Sequence, residues 1–126
     1  MIVLDTHAIL WWTLEPQRLS KAAQRAINQA DSIGIPSIVF WEVALLDRKR
    51  RIKLGASALE WTHDVLSLSR VKPLDLTAEI AVAAESLTMH PDPADRFIVA
   101  TAMYHNATLV TGDKAIHSAK LVTTLW

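Results

Sequence analysis

Asp5, Glu42, Asp95 and Asp113 are the residues whose types and positions could do chemistry. Asp5 directly follows the apolar run Ile2-Val3-Leu4, which reads as a short strand, so its carboxylate stands at that strand's carboxyl end. Capping the helix that follows is an equally ordinary use of an aspartate. Glu42 lies within Ile38-Val39-Phe40-Trp41-Glu42-Val43-Ala44-Leu45-Leu46, where every other residue is apolar. A carboxylate there is costly to desolvate unless a cation or several donors meet it. The alternative is a buried ion pair with an Arg or Lys elsewhere. Asp92 and Asp95 flank Pro93-Ala94 at a helix start, as N-cap and N3 residue, where the macrodipole favours negative charge. Asp95 shares a helix side with Val99, which aims it at the sheet edge. Asp113 follows Leu109-Val110-Thr111-Gly112, just past another strand end, with Gly112 providing the turn. Taken alone it reads as a turn aspartate ahead of Lys114.

The combination is sharper than any member. Four carboxylates gathered on one sheet edge repel each other unless something positive joins them. The chain has no cysteine, and its five histidines show no pair at ligand spacing. The fitting cation is therefore hard and oxygen-loving, Mg²⁺ or Mn²⁺.

The elements that must hold these groups follow from pattern and punctuation. Strands are expected at Ile2 to Leu4, Ser32 to Ile35, Val71 to Leu76 despite Pro73, Thr108 to Thr111, and at the end within Leu121 to Leu125. Helices are expected from Ala8 to Leu14, Lys21 to Ala30 with Ser20 as cap, Ile38 to about Arg51 with Ser37 as cap, and Ala58 to Leu68. Two more are expected from Ala78 to Met89 with Thr77 as cap, and from Ala94 to His105 with Asn106 as stop. Strands alternating with helices imply an α/β chain whose sheet is mostly parallel, with four to five strands. Ligands of such sheets bind outside the carboxyl ends of the strands.

Residues 1–126 suffice for one domain, and 51% hydrophobic against 21% charged residues is the balance of a folded chain. Thirteen basic residues offset thirteen acidic ones, which excludes a uniformly basic surface but not a local patch. Asp47 to Gly55 is such a patch, with Arg48, Lys49, Arg50, Arg51 and Lys53 against Asp47 alone. It reads either as a solvated helix end whose cations complement the dipole or as a phosphate-tracking or partner-contacting surface. Met1 to Asp5 carries no basic signal-peptide start, and no apolar stretch approaches the roughly 20 residues a membrane helix needs. A cytoplasmic protein is the expectation.

Four blocks in this order resemble a known family: Leu4-Asp5-Thr6-His7-Ala8-Ile9-Leu10-Trp11-Trp12, Trp41-Glu42-Val43-Ala44, His90-Pro91-Asp92-Pro93-Ala94-Asp95-Arg96-Phe97-Ile98-Val99-Ala100-Thr101-Ala102, and Leu109-Val110-Thr111-Gly112-Asp113. They are similar to the PIN-domain ribonucleases, specifically the VapC-type toxins of bacterial type II toxin–antitoxin systems, over nearly the whole chain. The resemblance implies a three-layer α/β/α fold and Mg²⁺- or Mn²⁺-dependent hydrolysis of RNA to 5′-phosphate and 3′-hydroxyl ends. It implies a homodimer and a cognate antitoxin. The family's acidic site maps onto Asp5, Glu42, Asp95 and Asp113, with Asp5 and Asp95 holding the metal most directly and Glu42 and Asp113 directly or through water. Thr6 and Thr111 match hydroxyl positions beside the site, and Asp92 a position often acidic. His7, Arg48, Lys49, Arg50, Arg51, Arg96 and Lys114 are the expected contacts for RNA or antitoxin.

Two other classes compete. A catalytically silent domain of this type, binding only RNA or a partner, requires a broken acidic set, and the set is whole. An aspartyl-phosphate phosphotransferase or phosphatase needs a second acid two residues beyond its nucleophile, and His7 occupies that place. Five tryptophans are many for one small core, so some are expected to meet another chain.

Overall fold

The computed structural model describes all of residues 1–126. Five parallel strands form the sheet: β1 (Ile2–Leu4), β2 (Ile33–Pro36), β3 (Val71–Leu74), β4 (Thr108–Val110) and β5 (Thr124–Leu125), in the order β3-β2-β1-β4-β5. Helices α1 (Thr6–Leu14), α2 (Lys21–Gln29), α3 (Ser37–Arg48), α4 (Ala58–Leu66), α5 (Ala78–Glu85), α6 (Pro93–Tyr104) and α7 (Lys114–Ala119) complete a three-layer α/β/α fold. A 3₁₀ turn, Pro16–Arg18, joins α1 to α2. Val3, Leu4, Ile33, Ile35, Leu109 and Val110 are fully enclosed, as expected of short central strands covered on both faces. Burying each such side chain contributes roughly 1.5–3 kcal/mol. Pro73 is tolerated because β3 is an edge strand that pairs only with β2.

The strand order reverses at the centre. From β1 the chain winds outward through β2 to β3, then returns to β1's other side as β4. This switch point leaves a crevice at the carboxyl ends of β1 and β4, which pair from Ile2↔Thr108 to Leu4↔Val110. Asp5 and Gly112-Asp113 follow those two strands.

Several boundaries differ from expectation. Ser37 is the first residue of α3, not its cap; Pro36 holds that position and no side chain caps the helix. Helix α3 ends at Arg48, short of Arg51, because Arg50 adopts a left-handed φ of 56°. The amides of Arg50 and Arg51 then close onto the carbonyls of Asp47 and Leu46, a Schellman ending. Asn106, with φ 49°, ends α6 in the same way, as its residue type suggests. Helix α5 stops at Glu85 rather than Met89, since Arg96 takes up the carbonyls that further turns would have used. Helix α7 was not anticipated, being only six residues long.

Candidate active site

At the switch point lies an open cleft of about 430 Å³, lined by Asp5, Thr6, His7, Trp11, Glu42, Asp92, Asp95, Gly112, Asp113 and Trp126. Four distant segments thus bring together all four carboxylates singled out in the sequence, with Asp92 beside them. Three of these five acids, Asp5, Asp92 and Asp113, are also helix caps. Asp5 Oδ1 accepts the Ala8 amide at 2.8 Å, Asp92 Oδ1 the Asp95 amide at 3.3 Å, and Asp113 Oδ1 the amides of Ala115 and Ile116 at 2.8 and 3.3 Å. Capping and a role in the cleft are therefore compatible. In each, Oδ1 takes the capping bond and fixes the side chain at the helix start. Glu42 is not ion-paired: the one Lys or Arg contact with a carboxylate is Arg18 with Glu15, and the other close approach is His90 to Asp95. Its Oε1 instead accepts the hydroxyl of buried Thr6.

The cleft is electrostatically loaded. Burial pushes the Asp5 carboxyl up, and Asp113 adds to that, while the Thr111 hydroxyl, the Ala8 amide and His7 oppose it. Asp95 is pushed up to about 7, first by burial and then by Asp92, Asp113, Glu42 and Asp5. A carboxyl raised this far by burial and then by four neighbouring acids marks a site where further negative charge is costly without a cation. The donors are hard oxygens, and one enclosed atom, His90 Nε2, has no hydrogen-bond partner while standing 3.4 Å from Asp95 Oδ2. Donor atoms of His90, Asp95 and Asp113 all lie within 4.8 Å of one another. This donor set fits a divalent cation.

The PIN domain family profile matches residues 2–121. The chain belongs to the PIN-domain family. It is 39% identical over 119 residues to ribonuclease VapC22 of Mycobacterium tuberculosis, spanning 93% of this chain and 90% of that protein. Its fold is similar to VapBC2 from Rickettsia felis, solved with a DNA fragment from its promoter, at TM-score 0.71 and 20% identity over 99% of this chain and 98% of that one. A toxin–antitoxin complex from Klebsiella pneumoniae gives 0.70 and 20%, over 98% and 97%.

In this PIN domain Thr111 is fully buried, and its hydroxyl accepts the Asp113 amide at 3.1 Å. Gly112 has an ordinary φ; its missing Cβ is what matters, because the Trp126 ring lies 3.0 Å from where one would stand. Arg96, expected to contact RNA or antitoxin, is committed elsewhere. Every nitrogen of its guanidinium donates to main-chain carbonyls, those of Ala84, Glu85, Leu87, Met89 and His90. With those bonds made, it braces the segment that carries Asp92 and does not reach outward. Arg50 and Arg51 line a second cleft that shares His7 and Trp11 with the first; Arg48 and Lys49 do not. Lys114 is exposed at the start of α7 and lines neither cleft.

Sequence reasoning missed three contributors. His90 lies in the quoted motif, but nothing in its spacing marked it as facing Asp95. His117 Nε2 donates to the Thr111 carbonyl and its Nδ1 shares a hydrogen bond with Thr124 Oγ1 at 2.7 Å, which ties the site's wall to β5. Trp126 packs on Trp11 with ring centroids 5.3 Å apart and closes one side of the cleft.

Proposed function

We propose that this PIN domain is an endoribonuclease toxin that works with Mg²⁺ or Mn²⁺ at Asp5, Glu42, Asp95 and Asp113, and that a cognate antitoxin restrains it. The observation that carries the reading is the convergence of those carboxylates in one cleft of a chain 39% identical to a ribonuclease. The R. felis and K. pneumoniae relatives are toxin–antitoxin assemblies, which supports an antitoxin as the protein partner. No helix is long and apolar enough to cross a membrane, and the cytoplasm is the compartment where RNA and antitoxin would be met.

Asp5 and Asp95 would hold the cation directly, with Glu42 and Asp113 completing the set directly or through water. A cation bound there would supply Lewis acidity toward a phosphate oxygen and would lower the pKa of a water beside it. The protein's share is orientation. The Ala8 amide fixes Asp5 and the Thr6 hydroxyl fixes Glu42. Asp92 caps the turn that carries Asp95, and the amides of Ala115 and Ile116 hold Asp113. Such supporting bonds keep donors from collapsing onto each other or swinging to solvent. The Trp11 and Trp126 rings wall one side of the cleft.

The test is cleavage of single-stranded RNA by the purified chain after EDTA treatment, with Mg²⁺ or Mn²⁺ then restored. Cleavage that returns with either ion supports the reading; undiminished cleavage in EDTA contradicts it.

A further inference from the structure

Beside the acidic cleft, with His7 and Trp11 in the lining of both, lies a cleft of opposite charge. The second cleft, of about 550 Å³, runs between the end of α1, the turn Pro16–Arg18 and the chain that leaves α3. Its charged lining is Arg18, Arg50, Arg51 and Lys53 against Glu15 alone. Glu15 stands 3.9 Å from Arg18 with both side chains about half exposed, too weak a pair to cancel the field. The Arg18 guanidinium lies over the Trp11 ring, 4.5 Å from its centroid, which holds it at the junction of the two clefts. Arg50 takes a left-handed conformation that glycine would adopt without strain, and this turn carries the chain on to Arg51 and Lys53. In a chain of zero net charge, these cations are a local concentration beside the site, not part of a basic surface.

We propose that this basic cleft is the track for the RNA strand: with the scissile phosphate in the acidic cleft, the adjoining nucleotides pass His7 and Trp11 and lay their phosphates along Arg18, Arg50, Arg51 and Lys53. The proposal rests on the nuclease reading and extends it to how the substrate is held. An acidic cleft repels a polyanion except at the cation itself, so most of the attraction must come from nearby positive charge. The two clefts adjoin, with His7 and Trp11 in the lining of both, and His7 is exposed, with its ring 5.8 Å from that of Trp11. A cationic groove with aromatic rings at its mouth is how sequence-tolerant single-strand binders hold RNA. A partner protein could use the same groove, but a run of phosphates matches its excess of cations better than a mixed peptide surface does.

The experiment measures binding of a labelled single-stranded RNA to non-cleaving Asp5→Asn protein as salt is varied. Arg18, Arg51 and Lys53 are exposed, and changing them to Gln breaks none of the main-chain bonds that shape the turn. The triple variant should bind RNA at least tenfold more weakly at low salt, and the slope of log affinity against log salt should fall by about 2, at about 0.7 per lost phosphate contact. Arg50→Asn, which keeps a residue tolerant of left-handed φ, should lower the slope by about 0.7 on its own. Lys21→Gln with Arg25→Gln, on α2 and outside both clefts, should leave the slope unchanged. An unchanged affinity and slope in the triple variant would overturn the proposal. So would unchanged RNA binding with lost antitoxin binding, which would assign the cleft to the antitoxin. A lowered slope in a chain whose wild type never cleaves RNA would support the track and sink the nuclease reading alone.

Discussion

Asp95 sits in the first turn of α6, where burial first and then the charges of Asp92, Asp113, Glu42 and Asp5 oppose its ionisation. Its folded pKa, about 7, lies above the ordinary 3.8, so the native state binds this proton more tightly than the unfolded chain does. The stability linked to it is fully present below about pH 4 and is lost as the pH rises through about 7. Metal-free protein should therefore melt a few degrees higher at pH 5.5 than at pH 8, and Asp95→Asn should flatten that difference. Saturating Mg²⁺ should raise the melting temperature more at pH 8, where the carboxylates are ionised. Calorimetric scans of both proteins at the two pH values, with and without Mg²⁺, check all three expectations. An Asp95→Asn protein with the wild-type pH dependence would show that another group carries the effect.

At the scale of elements, the site hangs on helix starts and on one arginine. Arg96 ties the end of α5 and the Leu87–His90 segment to α6 through main-chain carbonyls. Arg96→Ala should lower stability by about 2 kcal/mol, read from urea denaturation, because several carbonyls lose a charged donor at once. It should also weaken Mg²⁺ binding, since the braced segment leads directly into Asp92. Wild-type stability in that variant would mean that water replaces the guanidinium without loss. The strands, most helices and the four acids were legible because each has a local cause: short apolar runs, capping side chains, and carboxylates at strand ends. The role of Arg96 was not legible. An arginine beside an aspartate in a nuclease-like motif looks like a substrate contact, and only the path of α5 shows which carbonyls surround it. Glu42's partner was likewise hidden, because the Thr6 hydroxyl comes from a segment 36 residues away. His117 gave no signal at all, since its two bonds join elements that meet only in the folded sheet.

The whole molecule leaves one tryptophan largely unprotected. Trp61 is buried and Trp11, Trp12 and Trp126 are half-buried, whereas Trp41 on α3 is 55% exposed, with exposed Ala44 beside it. A bare indole on the helix that carries Glu42 offers the kind of aromatic anchor on which a second copy of the chain would pack. Sedimentation should show a dimer that Trp41→Ala shifts toward monomer, without change in helical content; a wild-type monomer at high concentration would contradict this. The fold, the acidic cleft and its basic neighbour support one proposal, that Asp5 and its companions form a metal centre that cuts RNA. Asp5→Asn is the sharpest probe, because asparagine keeps the cap on Ala8 and removes only the charge. The decisive measurement is the rate of Mg²⁺-dependent RNA cleavage by folded Asp5→Asn protein beside wild type. A fall of at least 100-fold is predicted, within the range set by loss of metal-assisted stabilisation; cleavage at the wild-type rate would contradict the account.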